Sequence, residues 1–219
     1  HGLFRDVFTG VDTRQKKAIP IGELHMLLNK DPQSEKLRRT QAIANLLFQF
    51  CGMPFSDLAH LEKSNLERGL LKYNRTKTGT PMSIEVLESA QNAIGGLYNK
   101  SDARSSGYPD YLFRILSGAY KRNEEGAYRE YQSALRRFNN ELKSLSRKLR
   151  LHSPVTSYTL RHSWATTAKY RGVPIEMISE SLGHKSIKTT QIYLKGFELE
   201  ERTKVNKLNY SYVCNFKML

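Results

Sequence analysis

The segment IGELHMLLNK repeats its apolar positions at helical spacing, which sets Leu24, Leu27 and Leu28 on one face. Residues 1–20 before it read as an extended lead-in that ends at Pro20. A longer helix is expected from about Ser34, a good N-cap, to Gly52, a good stop, and FSDLAHL adds a short helical turn. The period then changes. In LLKYNRTKTGTPMSIEV two strand-like runs flank Thr78 and Gly79, which predicts a hairpin, and a helix follows over residues 85–98. Polar, small residues make NKSDARSSGYP a loop, while YLFRIL fits a strand or a buried turn equally well. From Glu124 to Leu149 a basic amphipathic helix carries Tyr128, Leu135, Phe138, Leu142 and Leu145 on its apolar side. After Pro154 come three shorter helices over 157–171, 174–182 and 187–195, separated by Gly172 to Pro174 and by Gly183 and His184. A last helix near 198–208 leads into the aromatic tail NYSYVCNFKML. The pattern contains no internal repeat and predicts a mainly α fold with a small antiparallel β-sheet, an α+β class.

Composition narrows this picture. The 219 residues are 39% hydrophobic and 26% charged, enough for a proper core in one large domain or two small ones. The longest apolar stretch, AIANLLFQFCGMPF, is broken by Asn45 and Gln49 and is too short to span a bilayer. The opening HGLFRDVFTG has no basic start followed by an apolar run, and without an initiator Met it reads as a piece of a longer protein. Cys51 and Cys214, far apart, form neither a disulfide framework nor a zinc pattern, so a reducing cytoplasm is the simplest compartment. Thirty-five Lys and Arg against 21 Asp and Glu leave a net charge of +14. Such an excess favours polyanions, because each neutralised phosphate releases condensed counterions. By itself it does not choose among DNA, RNA and anionic lipid, although basic residues spread along the chain fit a folded nucleic-acid surface.

Three constellations carry possible chemistry. VPIEMISESLGHKSIKTTQIYLKG outlines a helix, a glycine turn and a second helix, and SIKTTQ offers side chains able to contact bases or phosphates. Many ordinary helix pairs look the same, and Tyr193 alone reads as well as a core aromatic. TSYTLRHSWAT gathers Arg161, His162 and Trp164 near a helix start, a cluster equally consistent with a surface ion pair and packing. YNRTKTG puts Arg75 and Lys77 at a hairpin tip, where basic residues are ordinarily solvated.

Taken in chain order, these pieces resemble one family. A hairpin lysine, then LRHSWAT, then LGHKSIKTTQIY is similar to the pattern of the tyrosine recombinases, also called phage integrases. The resemblance covers roughly residues 20–208 and is most specific from Thr156 to Leu194, while RHSWA and GMPFSDLAHL look most like integrases of Bacteroidetes mobile elements. It implies the family's catalytic-domain fold over 21–197, a linker remnant over 1–20, and a C-terminal helix and tail over 198–219 that docks on a neighbouring subunit or packs on its own. It implies site-specific cleavage and rejoining of DNA strands through a 3′-phosphotyrosyl intermediate. Tyr193 would be the nucleophile, Arg161 the phosphate clamp, His184 a second donor to the phosphate, and Lys77 the general acid for the departing 5′-oxygen. Lys72 and Lys63 are the residues most easily confused with Lys77. A tyrosine hydroxyl, with a reference pKa of about 10, needs such help, since attack spreads negative charge that fixed cationic donors stabilise. The covalent bond conserves the energy of the broken linkage, so neither cofactor nor metal is called for. Implied partners are double-stranded DNA, other copies of the chain in a tetramer, and accessory DNA-bending proteins, with no membrane. The setting would be the bacterial cytoplasm at the nucleoid, and the full protein would add an N-terminal helical DNA-binding domain.

The chain departs from the family pattern at two places. Pro54 in CGMPFSDLAHL stands where the first family arginine usually lies, while Gly52 and Asp57 still fit; relatives with a Pro-Phe pair carry arginine before the glycine, which is Cys51 here. Arg38, Arg39, Arg68 and Arg75 are the candidate substitutes. The second departure is Tyr158, where most members have histidine; a phenol still donates a hydrogen bond to phosphate, without a charge. His162 is expected to support the site and Trp164 to pack in the core, while His25, His60 and His152 have no assigned role. The competing reading is a DNA-binding module of the same fold that no longer cuts, with a helix-turn-helix regulator as its more distant form.

Overall fold

A computed structural model describes residues 18–98, 109–122, 124–194 and 199–214. Helix α1 (Ile21–Asn29) lays Leu24 and Leu27 on α2 (Glu35–Gln49), which runs through the centre of the domain. Around α2 pack α4 (Glu88–Leu97), α5 (Glu125–Lys148) and α6 (Ser157–Tyr170). The short α3 (Phe55–Ala59) starts at Pro54, whose fixed φ and missing N–H suit a helix start. Phe55 from α3 stacks on Phe138 of α5, with ring centroids 4.7 Å apart. Leu46, Leu47, Phe50, Met53 and Leu58 are fully enclosed, the dry centre expected of a close-packed interior.

The predicted hairpin is present as β2 (Leu70–Asn74) and β3 (Pro81–Glu85), paired Leu71 to Ile84 and Tyr73 to Met82. The two-residue β1 (Leu66–Glu67) completes an antiparallel sheet in the order β1-β2-β3. In YLFRIL, Tyr111 and Phe113 form isolated bridges to Glu62 and Tyr98, so the segment is a buried turn region. Two expectations need correction. Tyr128 is 63% exposed, because α5 turns Ala127, Ala134, Phe138, Leu142 and Leu145 inward and Tyr131 takes the place beside Phe55. The last helix, α9 (Leu199–Cys214), also continues through NYSYVC. The loop predicted over 99–109 lies mostly outside the described residues.

Beyond the main core, α7 (Ile175–Ser181) and α8 (Ile187–Leu194) fold against α6 around a smaller cluster of Ala165, Ile178, Leu182 and Leu194. Trp164, Ala168 and Val173 pack against it, so Trp164 is half-buried there as expected of a core aromatic. No helix among the described residues is long and apolar enough to cross a membrane.

Candidate active site

The α6–α7–α8 corner brings together residues distant in sequence, and helix ends organise it. Helix α6 is started by Thr156, whose side chain accepts from the Thr159 N–H while the Thr159 hydroxyl accepts from the Thr156 N–H. This capped turn carries Tyr158 and, three residues on and so on the same side, Arg161. Tyr158 is 44% exposed, whereas Arg161 is buried.

Helix α7 ends in a Schellman turn. Gly183, at φ +64°, donates to the Glu180 carbonyl, and the His184 N–H donates to the Ser179 carbonyl at 3.0 Å. That turn leaves the Leu182 carbonyl, at the negative end of the helix, pointing away from its own backbone. Arg161 Nη2 donates to it at 2.7 Å, and Arg161 Nη1 donates to the Gly52 carbonyl at 2.8 Å, just past the end of α2. One arginine thus ties two helix C-termini together. Gly52 permits the approach: a Cβ there would lie 3.1 Å from Trp164 Cβ and 3.3 Å from Arg161 Cα.

His184 completes the cluster. Its Nε2 is 3.3 Å from Arg161 Nη2 and its Nδ1 is 2.8 Å from the hydroxyl of Thr190, buried on α8. Arginine only donates, so Nε2 accepts and the ring proton sits on Nδ1, facing Thr190. Burial, reinforced by the Arg161 and Arg75 charges, lowers the His184 pKa to about 4, which leaves the ring neutral at pH 7. Tyr193 lies on α8 three residues after Thr190 and immediately before the buried Leu194; its side chain is outside the described residues. The Leu194 carbonyl accepts from Lys169 Nζ at 3.2 Å, which fastens the end of α8 to α6.

The hairpin reaches the same turn from the opposite side. Thr78 and Thr80 hydroxyls both donate to the Gly183 carbonyl at 3.4 Å, and Arg75 donates to the Leu182 carbonyl. Lys77 stands between these anchors with an exposed side chain that makes no hydrogen bond or ion pair among the described residues. Arg161 and His184 are therefore in contact, Lys77 is held nearby by its hairpin, and Tyr158 lines the α6 flank. His162 is half-buried, and burial pulls its pKa below the ordinary value.

Sequence reading missed Thr190 and the carbonyls of Gly52 and Leu182 as parts of this site, and noted Asp57 only as fitting the family pattern. Asp57, almost fully buried, places Oδ2 2.8 Å from Arg75 Nε and accepts from the Thr76 N–H through Oδ1 at 3.1 Å. The adjacent threonines in SIKTTQ were a signal for the histidine's partner, but backbone acceptors leave no trace in residue types.

Residues 21–199 match the phage integrase family, and the chain belongs to it. It is 28% identical over 204 residues to a probable integrase/recombinase protein of Methanocaldococcus jannaschii, covering 90% of this chain and 58% of that one. It is 30% identical over 190 residues to the tyrosine recombinase XerD of Halalkalibacterium halodurans, covering 82% of this chain and 57% of the relative. The chain therefore spans somewhat over half the length of these relatives. In fold it resembles the XerA recombinase crystal structure, with TM-score 0.61, 21% identity, and coverage of 96% of this chain and 68% of that one. It also resembles the Tn1549 transposon integrase in complex with a circular intermediate DNA, with TM-score 0.56, 16% identity, and coverage of 90% and 67%.

Proposed function

We propose that this chain is the catalytic domain of a site-specific DNA recombinase that cleaves and rejoins strands through a 3′-phosphotyrosyl bond on Tyr193. The observation that carries the reading is the contact of buried Arg161 with His184 at a turn on which the Lys77 hairpin is also fastened. Arg161 suits a non-bridging phosphate oxygen because its charge is permanent and its donors are planar. A phosphate arriving beside His184 favours protonation of that ring and so turns Nε2 from acceptor to donor. Lys77, free to swing, delivers a proton to the leaving 5′-oxygen, and Tyr158 adds a neutral donor. The net charge of +14 supports binding to double-stranded DNA.

The source we favour is a Bacteroidetes mobile element, supported by the RHSWA and GMPFSDLAHL motifs. Assembly as a tetramer on two DNA sites, helped by accessory DNA-bending proteins, follows from this reading. Helix α9 fits docking on a neighbouring subunit, because Val205, Leu208, Tyr210 and Val213 are all exposed. Pro54, which has no side-chain donor, favours the second reading: a DNA-binding module that has lost cleavage.

The test is a nicked duplex from the ends of the DNA segment carrying the gene, incubated with full-length protein and with Tyr193→Phe. A denaturation-resistant protein–DNA adduct is expected from the first and none from the second. DNA binding with no adduct from either selects the non-cutting module.

A further inference from the structure

We propose that Arg75 is the second phosphate-binding arginine of this site, supplying the charge that Pro54 cannot. The assignment rests on the recombinase reading above and extends it to a residue outside the LRHSWAT and LGH motifs.

The four candidate arginines separate clearly. Arg38 is exposed and held by Asp31 and Glu35; Arg39 donates to the Arg114 carbonyl; Arg68 is exposed at the β1–β2 turn beside Glu67. Arg75 is 7% exposed and donates to the same Leu182 carbonyl that Arg161 uses, so two guanidiniums meet at one oxygen. Cys51, the other position where relatives carry arginine, is a half-buried thiol that burial keeps protonated.

The surroundings aim Arg75 with care. Asp57 holds Nε, the Leu182 carbonyl holds Nη1, and Nη2 makes no hydrogen bond among the described residues. Gly183 makes room for its stem, since a Cβ there would come within 2.9 Å of Arg75 Cγ. Asp57 offsets one of the two guanidinium charges and the shared carbonyl adds only a partial negative charge, so about one positive charge is left beside His184, where a phosphodiester completes the balance. Asp57 thereby orients the replacement arginine from the helix that Pro54 begins.

The experiment uses full-length protein and nicked duplexes tiling the DNA that flanks the gene, to map the cleaved phosphate. That phosphate is then replaced by a methylphosphonate, which lacks the negative charge. The variant is Arg75→Gln, whose amide nitrogen stands where Nε does and so can still donate to Asp57. A lost charge-neutralising donor lowers the rate of adduct formation on the phosphodiester by about 10²- to 10³-fold. On the methylphosphonate the same variant should fall less than about 10-fold below wild type, because attack charges only the one remaining non-bridging oxygen and Arg161 is still there to stabilise it. Arg75→Lys should retain more activity than Gln on the phosphodiester. An equal loss on both substrates makes Arg75 a purely structural residue and overturns the proposal, as does full activity of Arg75→Gln on the phosphodiester. Absence of any adduct from wild type overturns the recombinase reading itself, and this assignment with it.

Discussion

The two packed regions of this domain are built on different physics. The region around α2 is a large dry core in which Leu46, Leu47, Phe50 and their neighbours are closed off from water. The α6–α7–α8 corner has, among the described residues, four buried apolar residues at its centre and is held as much by arginines on helix-end carbonyls. Apolar burial is non-directional, so the first region fixes stability without fixing any one angle. Hydrogen bonds from a planar guanidinium are directional, so the second fixes geometry. The division leaves the candidate site on a small, polar rim attached to a large apolar block.

That contrast can be broken by substitution. Leu47→Ala, in the dry core, should cost about 3 kcal/mol of stability. Urea unfolding should show the loss, while the adduct rate of the folded fraction stays near wild type. Gly183→Ala, in the corner, should cost less, about 2 kcal/mol, from the left-handed backbone and the contacts with Met82 and Arg75. It should nevertheless reduce adduct formation more than Leu47→Ala does, measured on the same nicked duplex. A reversal of those two rankings would mean that the corner is not what sets the geometry.

The smallest effect sharpens the comparison through pH. Folded His184 takes its proton only near pH 4, whereas its ordinary value is 6.5. Between those values the unfolded chain binds more protons, so stability is fully present above pH 6.5 and declines as the pH falls toward 4. With solvent screening of this half-exposed ring, the part due to His184 is about 1 kcal/mol. His184→Gln should flatten the pH dependence of urea unfolding by that amount. His60 and His162, also lowered by burial, act in the same direction in both proteins and cancel from the difference.

Much of this was legible in the residues. Helices α2, α5, α6 and α7 fall within a few residues of the ends that capping and stop signals predict, and the hairpin follows from Thr78 and Gly79. Arg161 and His184 were legible because a linear motif holds them at fixed spacing. Tyr128 misled because it adjoins the true apolar stripe of α5 and a 3.6-residue period leaves the stripe's edge ambiguous. The extent of α9 was hidden because its exposed apolar residues follow no face. Arg75 was one of four equal candidates, since the carbonyl it donates to lies 107 residues away. Composition carries no record of where a helix's last carbonyl points.

That distance has a kinetic consequence. Arg161 reaches back 109 residues to Gly52, and Arg75 reaches forward 107 to Leu182. Closing such long loops is entropically slow, and neither bond exists before both ends of the chain segment have been made. During synthesis, residue 182 emerges after the whole α2-centred block, so the two arginines converge only once that block has been made. A chain halted before residue 182 already carries most of the basic residues but not the carbonyl on which the two arginines converge, so this corner is among the last parts of the domain to form.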